Sequence, residues 1–295
     1  MLYGLISSLI GGVTYGLIIS LMAAGLSLIY GVMSNVNTSH GMFYMLGGFL
    51  AFLASFYLHL PPFFSLLFTC LASFVIGIGV LLLIVPSSLR VTTDPDSQNQ
   101  VMILLLALAT ATEYVVLLVF GGSSVAVPSM IYGTLTFANG VYITYQTLLA
   151  SLISVVSYLL LYVFLKFTKV GLGIRAFAQN KDLARAIGIE GERLSLIVFG
   201  IGVLLAALSG ALLASIFSVN SASGWNELVI SFVIVTLGGI GSIFGSLLGG
   251  LIYGIAYSIA LYYYPSYAFI IVLILIYLVL IIKPTGLLGE IIERV

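Results

Sequence analysis

The chain has 295 residues, 62% of them hydrophobic and 6% charged, with a mean hydropathy of +1.28. Soluble domains carry roughly 25% charged residues, so a soluble fold of this length is excluded. Nine basic and nine acidic side chains cancel to zero net charge, which argues against nucleic acid as a partner. The apolar runs are apolar on every face instead of alternating, which excludes a β-barrel and leaves an all-α polytopic membrane protein. The single cysteine, Cys70, sits in an apolar run and has no partner for an internal disulfide.

About 20 apolar residues cross a bilayer as a helix. On that measure spans are predicted at Leu5–Val32, Gly41–Leu58, Pro62–Val85, Val101–Phe120, Val141–Phe167, Leu194–Phe217, Ser242–Tyr263 and Ala268–Ile282. The first run lacks a basic start and continues to about Gly31, so it reads as a span and not as a cleavable signal. A further run, Leu228–Leu237, is too short to cross alone, and Gly238, Gly239 and Gly241 separate it from the next helix. It is either a half-helix turning back inside the protein, with the glycines beside a pore, or a segment closely packed through small residues.

Arg90 lies in the third loop and a basic cluster in the fifth, while the second and fourth loops contain no Lys or Arg. The positive-inside rule then puts the N-terminus outside. Eight spans put the C-terminal tail outside too, whereas Lys283 and Arg294 favour the inside; a ninth crossing at Leu228–Leu237 would reconcile the two. Thr92–Gln100, with Asp94 and Asp96, reads as a solvated loop, and Gly121–Gly140 as an outward-facing one. Tyr262, Tyr263, Tyr264 and Tyr267 form an interfacial aromatic belt.

Few polar groups lie at membrane depth. Glu113 is the one acid well inside a predicted span, expected to hydrogen-bond a neighbouring helix, with a wet cavity as the alternative. Asn37 and Ser39 are expected to cap the second helix with His40 at the interface, and substrate contact is the alternative. Asn226 and Glu227 precede the short apolar run. If that run re-enters, its positive end could hold an anionic carboxylate, with Gly238–Gly241 close to the substrate.

The water-loving exception is Lys166–Arg193, which holds six of the nine basic side chains. Asn180 fits a helix N-cap, and Asp182 complements the dipole in the first turn. Leu183, Ala184, Ala186 and Ile187 make an apolar strip around Arg185, and Gly188 is a C-terminal stop. Two turns are unstable alone in water, so this helix needs a surface: the protein's own membrane body or a soluble partner that approaches over Ala184 and Gly188.

The segment GLGIRAFAQNKDLARAIGI resembles the cytoplasmic coupling loop of branched-chain amino acid ABC transporter permeases of the LivH type. Asn37–Gly41 (NTSHG) resembles that family's Asn-x-Ala-His-Gly motif, with Ser39 in place of Ala. Thr236–Gly250 resembles its glycine-rich late segment, and Lys283–Gly289 (KPTGLLG) its Arg-Pro-x-Gly-Leu-x-Gly ending, with Lys283 in place of Arg. The four stretches keep the family's order over nearly the whole chain.

The resemblance implies one permease domain over residues 1–295, with residues 168–193 as its cytoplasmic coupling loop, in the cell membrane. No Walker-type GxxxxGK[ST] occurs in the chain, so ATP would be used by partners and no cofactor, metal or catalytic residue is expected here. The implied partners are two ATP-binding subunits, a paralogous LivM-like permease and an extracytoplasmic solute-binding protein. The implied coupling contacts are Gly171, Arg175, Asn180, Ala184, Arg185 and Gly188. Candidates for the translocation path are Asn37, His40, Glu113, Asn226, Glu227, Gly238, Gly239 and Gly241. The solute is a branched-chain amino acid or another small solute such as urea, an amide or a different amino acid. An intramembrane enzyme lacks its cluster of nucleophile and base, and an ion-coupled transporter would have more than Glu113 at depth. A channel-like or purely structural subunit is the remaining rival.

Overall fold

The computed structural model describes residues 2–91, 94–136 and 141–289. The helices are α1 (Leu2–Met33), α2 (His40–Phe56), α3 (Pro62–Ile84), the single turn α4 (Ser87–Arg90) and α5 (Pro95–Phe120). An antiparallel hairpin, β1 (Thr134–Thr136) with β2 (Tyr142–Thr144), then leads into α6 (Tyr145–Phe167). There follow α7 (Lys169–Gln179), α8 (Lys181–Ala186), α9 (Gly191–Ala214), α10 (Ser223–Gly238), α11 (Ile243–Tyr263) and α12 (Ala268–Ile282). Among the described residues, seven helices are long and apolar enough to cross a membrane, and α2 and α10 are shorter apolar ones. The chain is an all-α, multi-pass membrane protein.

Several expected boundaries move; the expected span Val141–Phe167 begins as helix only at Tyr145, because Tyr142–Thr144 form β2, and the expected span Leu194–Phe217 is observed as Gly191–Ala214. Helix α5 begins at Pro95 and not at Val101, because Asp94 accepts a hydrogen bond from the Ser97 amide at 2.9 Å and caps it. The expected loop Thr92–Gln100 is thus helical from Pro95 onward, and Thr92 and Thr93 lie outside the described residues, as does 137–140 of the expected outer loop. Helix α10 begins at Ser223, so Asn226 and Glu227 lie within its opening turns instead of preceding it.

Helices α1 and α9 form the axis of the bundle, and α3, α5, α6 and α12 present apolar side chains outward. Lipid offers apolar side chains no gain from packing on each other, so embedded helices associate through close contact of small residues. Helix α1 supplies Gly12, Gly16 and Ser20 at four-residue spacing, which puts them on one face. Helix α11 meets that face with Gly250, Gly254 and Ser258, and a Cβ at Gly12 would sit 2.6 Å from the Gly254 carbonyl. Gly25 and Gly202 make the equivalent contact between α1 and α9, and Ser209 of α9 donates to the Ile18 carbonyl at 2.9 Å.

Directions follow from these contacts. Ser8 near the start of α1 bonds Ser258 near the end of α11, and Gly31 near the end of α1 lies at Gly241. Helix α11 is therefore antiparallel to α1. Helix α10 leaves the far end of α9, where Val219 pairs with Val125, and finishes at the Gly241 level beside the end of α1. Its 16 residues extend about 24 Å at 1.5 Å per residue, so it is shorter than a full span but carries the chain toward the end of α1. The C-terminal segment returns to the same end, where the Leu287 and Leu288 amides donate to the Leu237 and Gly238 carbonyls at 2.8 and 2.9 Å. Lys181 of α8 reaches Ser34 at that end as well, 2.7 Å away. The basic segment and Lys283 thus share one side, which removes the conflict in the charge count.

Candidate functional site

Two features stand at opposite ends of the bundle. At the end holding the start of α1 is a cavity of about 530 Å³ walled by α1, α2, α10 and α11. At the other end α7 and α8 stand out from the body.

The cavity is built by small residues and tyrosines. Ser8, Gly11 and Gly12 of α1 and Gly254 of α11 keep its wall low, and Tyr15, Tyr44 and Tyr257 line it. The opening turns of α10 contribute Ser223, Asn226 and Glu227. Glu227 is partly buried, and the Tyr15 hydroxyl donates to its carboxylate at 3.2 Å from Oε2. No side chain caps the start of α10; Asn220 closes the preceding turn by accepting from the Ala222 amide at 3.0 Å.

Helix α2 holds α10 in place. A Cβ at Gly41 would collide with the Gly224 carbonyl, so the glycine of NTSHG is what lets α10 start where it does. Asn37, Ser39 and His40 are wholly buried, while the partly buried Thr38 donates to the Met102 carbonyl of α5 at 3.0 Å. Asn37 Oδ1 accepts from the Ser39 amide at 3.1 Å and hydroxyl at 2.7 Å. His40 Nε2 lies 2.9 Å from the Met22 carbonyl, which can only accept, so Nε2 carries the proton. Its Nδ1 is left to accept from Asn37 Nδ2 at 3.5 Å. Two expectations change here. Ser39 is the N-cap residue of α2 but its side chain makes no cap bond, and His40 is 0% exposed instead of interfacial. The cause is that residues 34–39 run back into the protein, placing His40 at the level of Met22.

Glu113 of α5 accepts from the Trp225 indole at 2.7 Å and so ties α5 to the first turn of α10. Trp225 is the one tryptophan of the chain and reports on this joint. Glu113→Leu leaves a partly buried donor unpaired, at a cost of about 1–3 kcal/mol. A lower thermal midpoint and a shifted tryptophan emission are expected for Leu, with both retained in Glu113→Gln. An unshifted emission in the Leu variant means the bond is not made.

Gly238 and Gly239 do not line the cavity. A Cβ on Gly238 would strike the Gly245 backbone, and Gly239, at φ +104°, touches Gly289 of the C-terminal segment. Gly241, at φ +85°, turns the chain into α11. These three are the close-packed hairpin between α10 and α11.

At the opposite end, Asn180 caps α8 by accepting from the Leu183 amide at 2.9 Å. Gly188, at φ +87°, ends it, with Gly188 and Ile189 amides returning to the Arg185 and Ala184 carbonyls at 3.0 Å each. Gly171 fits the sharp turn from α6 into α7, where a Cβ would meet the Phe164 and Leu165 carbonyls. Arg175 is exposed on α7 and reaches the Lys166 carbonyl at 3.4 Å. Arg185 lies 5.7 Å from the Phe177 ring and donates to the Val91 carbonyl at 3.0 Å, tying α8 to the body. Burial, with the neighbouring Arg185 charge adding to it, pulls the Lys181 amine down to about 8. Ala184 is buried, so it faces the body and not a partner. Leu183 and Ile187 face out, 64% and 70% exposed, and the Cβ direction at Gly188 is open. Leu183 and Ile187 of the expected apolar strip are thus the large exposed residues at this surface, in addition to the expected coupling contacts.

The family model described as branched-chain amino acid transport system / permease component matches residues 8–281. The chain belongs to that family. The high-affinity branched-chain amino acid transport system permease protein BraD of Pseudomonas aeruginosa is 30% identical over 301 residues, covering 98% of this chain and 97% of its own. The LivH permease of the corresponding Escherichia coli system is 29% identical over 294 residues, covering 97% and 96%. Among solved structures, PsaBC from Streptococcus pneumoniae in complex with Fab aligns over 93% of this chain and 91% of its own, with 13% identity and a TM-score of 0.47.

In this branched-chain permease family member three of the four motif stretches, with the residues just before NTSHG, gather at one end of the bundle. The C-terminal KPTGLLG clasps the glycine-rich segment through Leu237 and Gly238. The basic segment reaches the residues just before NTSHG through Lys181 and Ser34. Gly31 and Gly241 bring the two pairs together at one end.

Proposed function

We propose that this chain is the LivH-type permease subunit of an ATP-driven importer for branched-chain amino acids. The observation that carries this is the family relationship, which runs from residue 8 to residue 281. In this scheme the ATPase and the solute-binding protein are separate partners. There are two ATP-binding subunits on the cytoplasmic side and a LivM-like paralogue beside this chain, and the chain itself binds no nucleotide. It is one permease domain, with residues 168–193 as the coupling loop.

The geometry supports a division of labour. Leu183, Ile187 and Gly188 form a compact apolar tip on a polar surface, suited to a groove in a soluble ATPase. Asn180, Gly171 and Arg185 shape and anchor that tip, Arg175 flanks it, and Ala184 seats it on the body. At the far end the cavity with Asn226 and Glu227 opens on the side away from the ATPases, where a binding protein delivers solute. His40 and Asn37 lie beneath it. Met22, which His40 touches, is seven residues beyond Tyr15 on α1, about 10 Å deeper. Glu113 and the glycines 238, 239 and 241 brace α10 along the route.

The test is reconstitution of the chain with its ATPases, paralogue and binding protein in liposomes. Leucine uptake is expected to require internal ATP and to stop with a non-hydrolysing ATPase variant. Uptake that persists without hydrolysis, or urea carried in preference to leucine, overturns the reading.

A further inference from the structure

We propose that Glu227 and the tyrosines around it form a cation subsite that takes the ammonium group of the transported solute. The subsite rests on the transport reading for its natural ligand, but its chemistry can be tested without transport.

A carboxylate offers about four acceptor positions, and Glu227 has a single side-chain donor on it, the Tyr15 hydroxyl, among the described residues. Among the described residues, no Lys, Arg or His lines the cavity. A carboxylate partly removed from water without a counter-charge is costly, and the open acceptor positions lie in the wall of the cavity. A cation placed there lowers that cost.

The surroundings favour an organic ammonium. The rings of Tyr15, Tyr253 and Tyr257 lie 5.8 to 6.5 Å apart, with Tyr253 and Tyr257 stacked at 7°. Aromatic faces attract cations, and ammonium groups in particular. Behind Tyr15 and Tyr257, the Tyr253 hydroxyl is wholly buried and, among the described residues, has no hydrogen-bond partner. A hard metal ion asks for six or more oxygens, and no group of three His, Cys, Asp or Glu side chains is found among the described residues. An alkylammonium needs only one carboxylate and a few hydroxyl or ring contacts. The adjacent uncapped start of α10 carries the opposite polarity, so the wall complements a zwitterion as a whole.

The full chain offers a direct assay because Cys70 is its one cysteine. In a Cys70→Ser background, Asn226→Cys places a thiol on the cavity wall; Ser218→Cys, at the cavity rim, is the second reporter should the first not fold. The cationic aminoethyl methanethiosulfonate is expected to react at least about tenfold faster than the anionic sulfonatoethyl reagent, relative to their ratio on a free thiol. Adding Glu227→Gln should restore the free-thiol ratio. Methylammonium should slow the cationic reagent with Glu227 present and have no effect with Gln. Equal relative rates, or a preference that survives Glu227→Gln, overturn the subsite. A preference that sodium abolishes and methylammonium does not also overturns it, since the site would then be one for a metal ion. Selective labelling without any leucine uptake by the complete importer leaves the subsite standing and removes the transport reading.

Discussion

Gly188→Trp is expected to insert normally in the membrane and to lose leucine uptake together with its ATPase on purification. A Cβ at Gly188 has no heavy atom of the described residues within 4 Å, so a side chain there has room to leave the backbone. It would stand where the partner must sit. Overpacking a well-fitted contact costs about 1–3 kcal/mol, which is about five- to 150-fold in partner affinity. The control is Gly188→Asn, because Asn tolerates the left-handed backbone required at φ +87°; it should keep most of the uptake. If Trp leaves uptake and ATPase retention intact, the partner docks elsewhere.

The second large effect is expected at Gly16→Leu. This position faces the Gly250 carbonyl across the α1–α11 contact, with Leu251 beside it. No rotamer removes a Cβ from that position, so the two helices must separate along the row formed by Gly12, Gly16 and Ser20. A cost above about 3 kcal/mol is expected from overpacking and lost contact combined. Loss of monodisperse protein in detergent, or a thermal midpoint lowered by many degrees, measures it. A midpoint within error of the parent chain would mean that α1 and α11 do not pack this closely.

The class of fold was legible because composition alone forbids anything else, and most span ends follow from where the apolar runs stop. The caps of α8 were legible because Asn180 and Gly188 act locally, through bonds to residues within a few positions. The cavity was not. Ser8 and Ser258 are 250 positions apart, and a wall made of what two helices lack in side chain leaves no local trace. The four-residue spacing of Gly12, Gly16 and Ser20 against Ser246, Gly250, Gly254 and Ser258 was the available signal. Glu227 precedes the apolar run that marks this helix in the sequence, although the helix begins at Ser223. The amphipathic opening turns from Ser223 are polar where they face the cavity. The smallness of Ala184 is visible in the sequence, but its contact with the chain's own body is not.

The glycine contacts that join α1 to both α9 and α11 bear on how the molecule can move. Backbones this close have no layer of flexible side-chain carbon between them to slide on, so the three helices must swing as one block. Helix α10 is tied into the same block at both ends, by the Gly41–Gly224 contact with α2 and the Gly238–Gly245 contact with α11. The cavity wall it shares with α1 and α11 therefore keeps its shape when that block tilts.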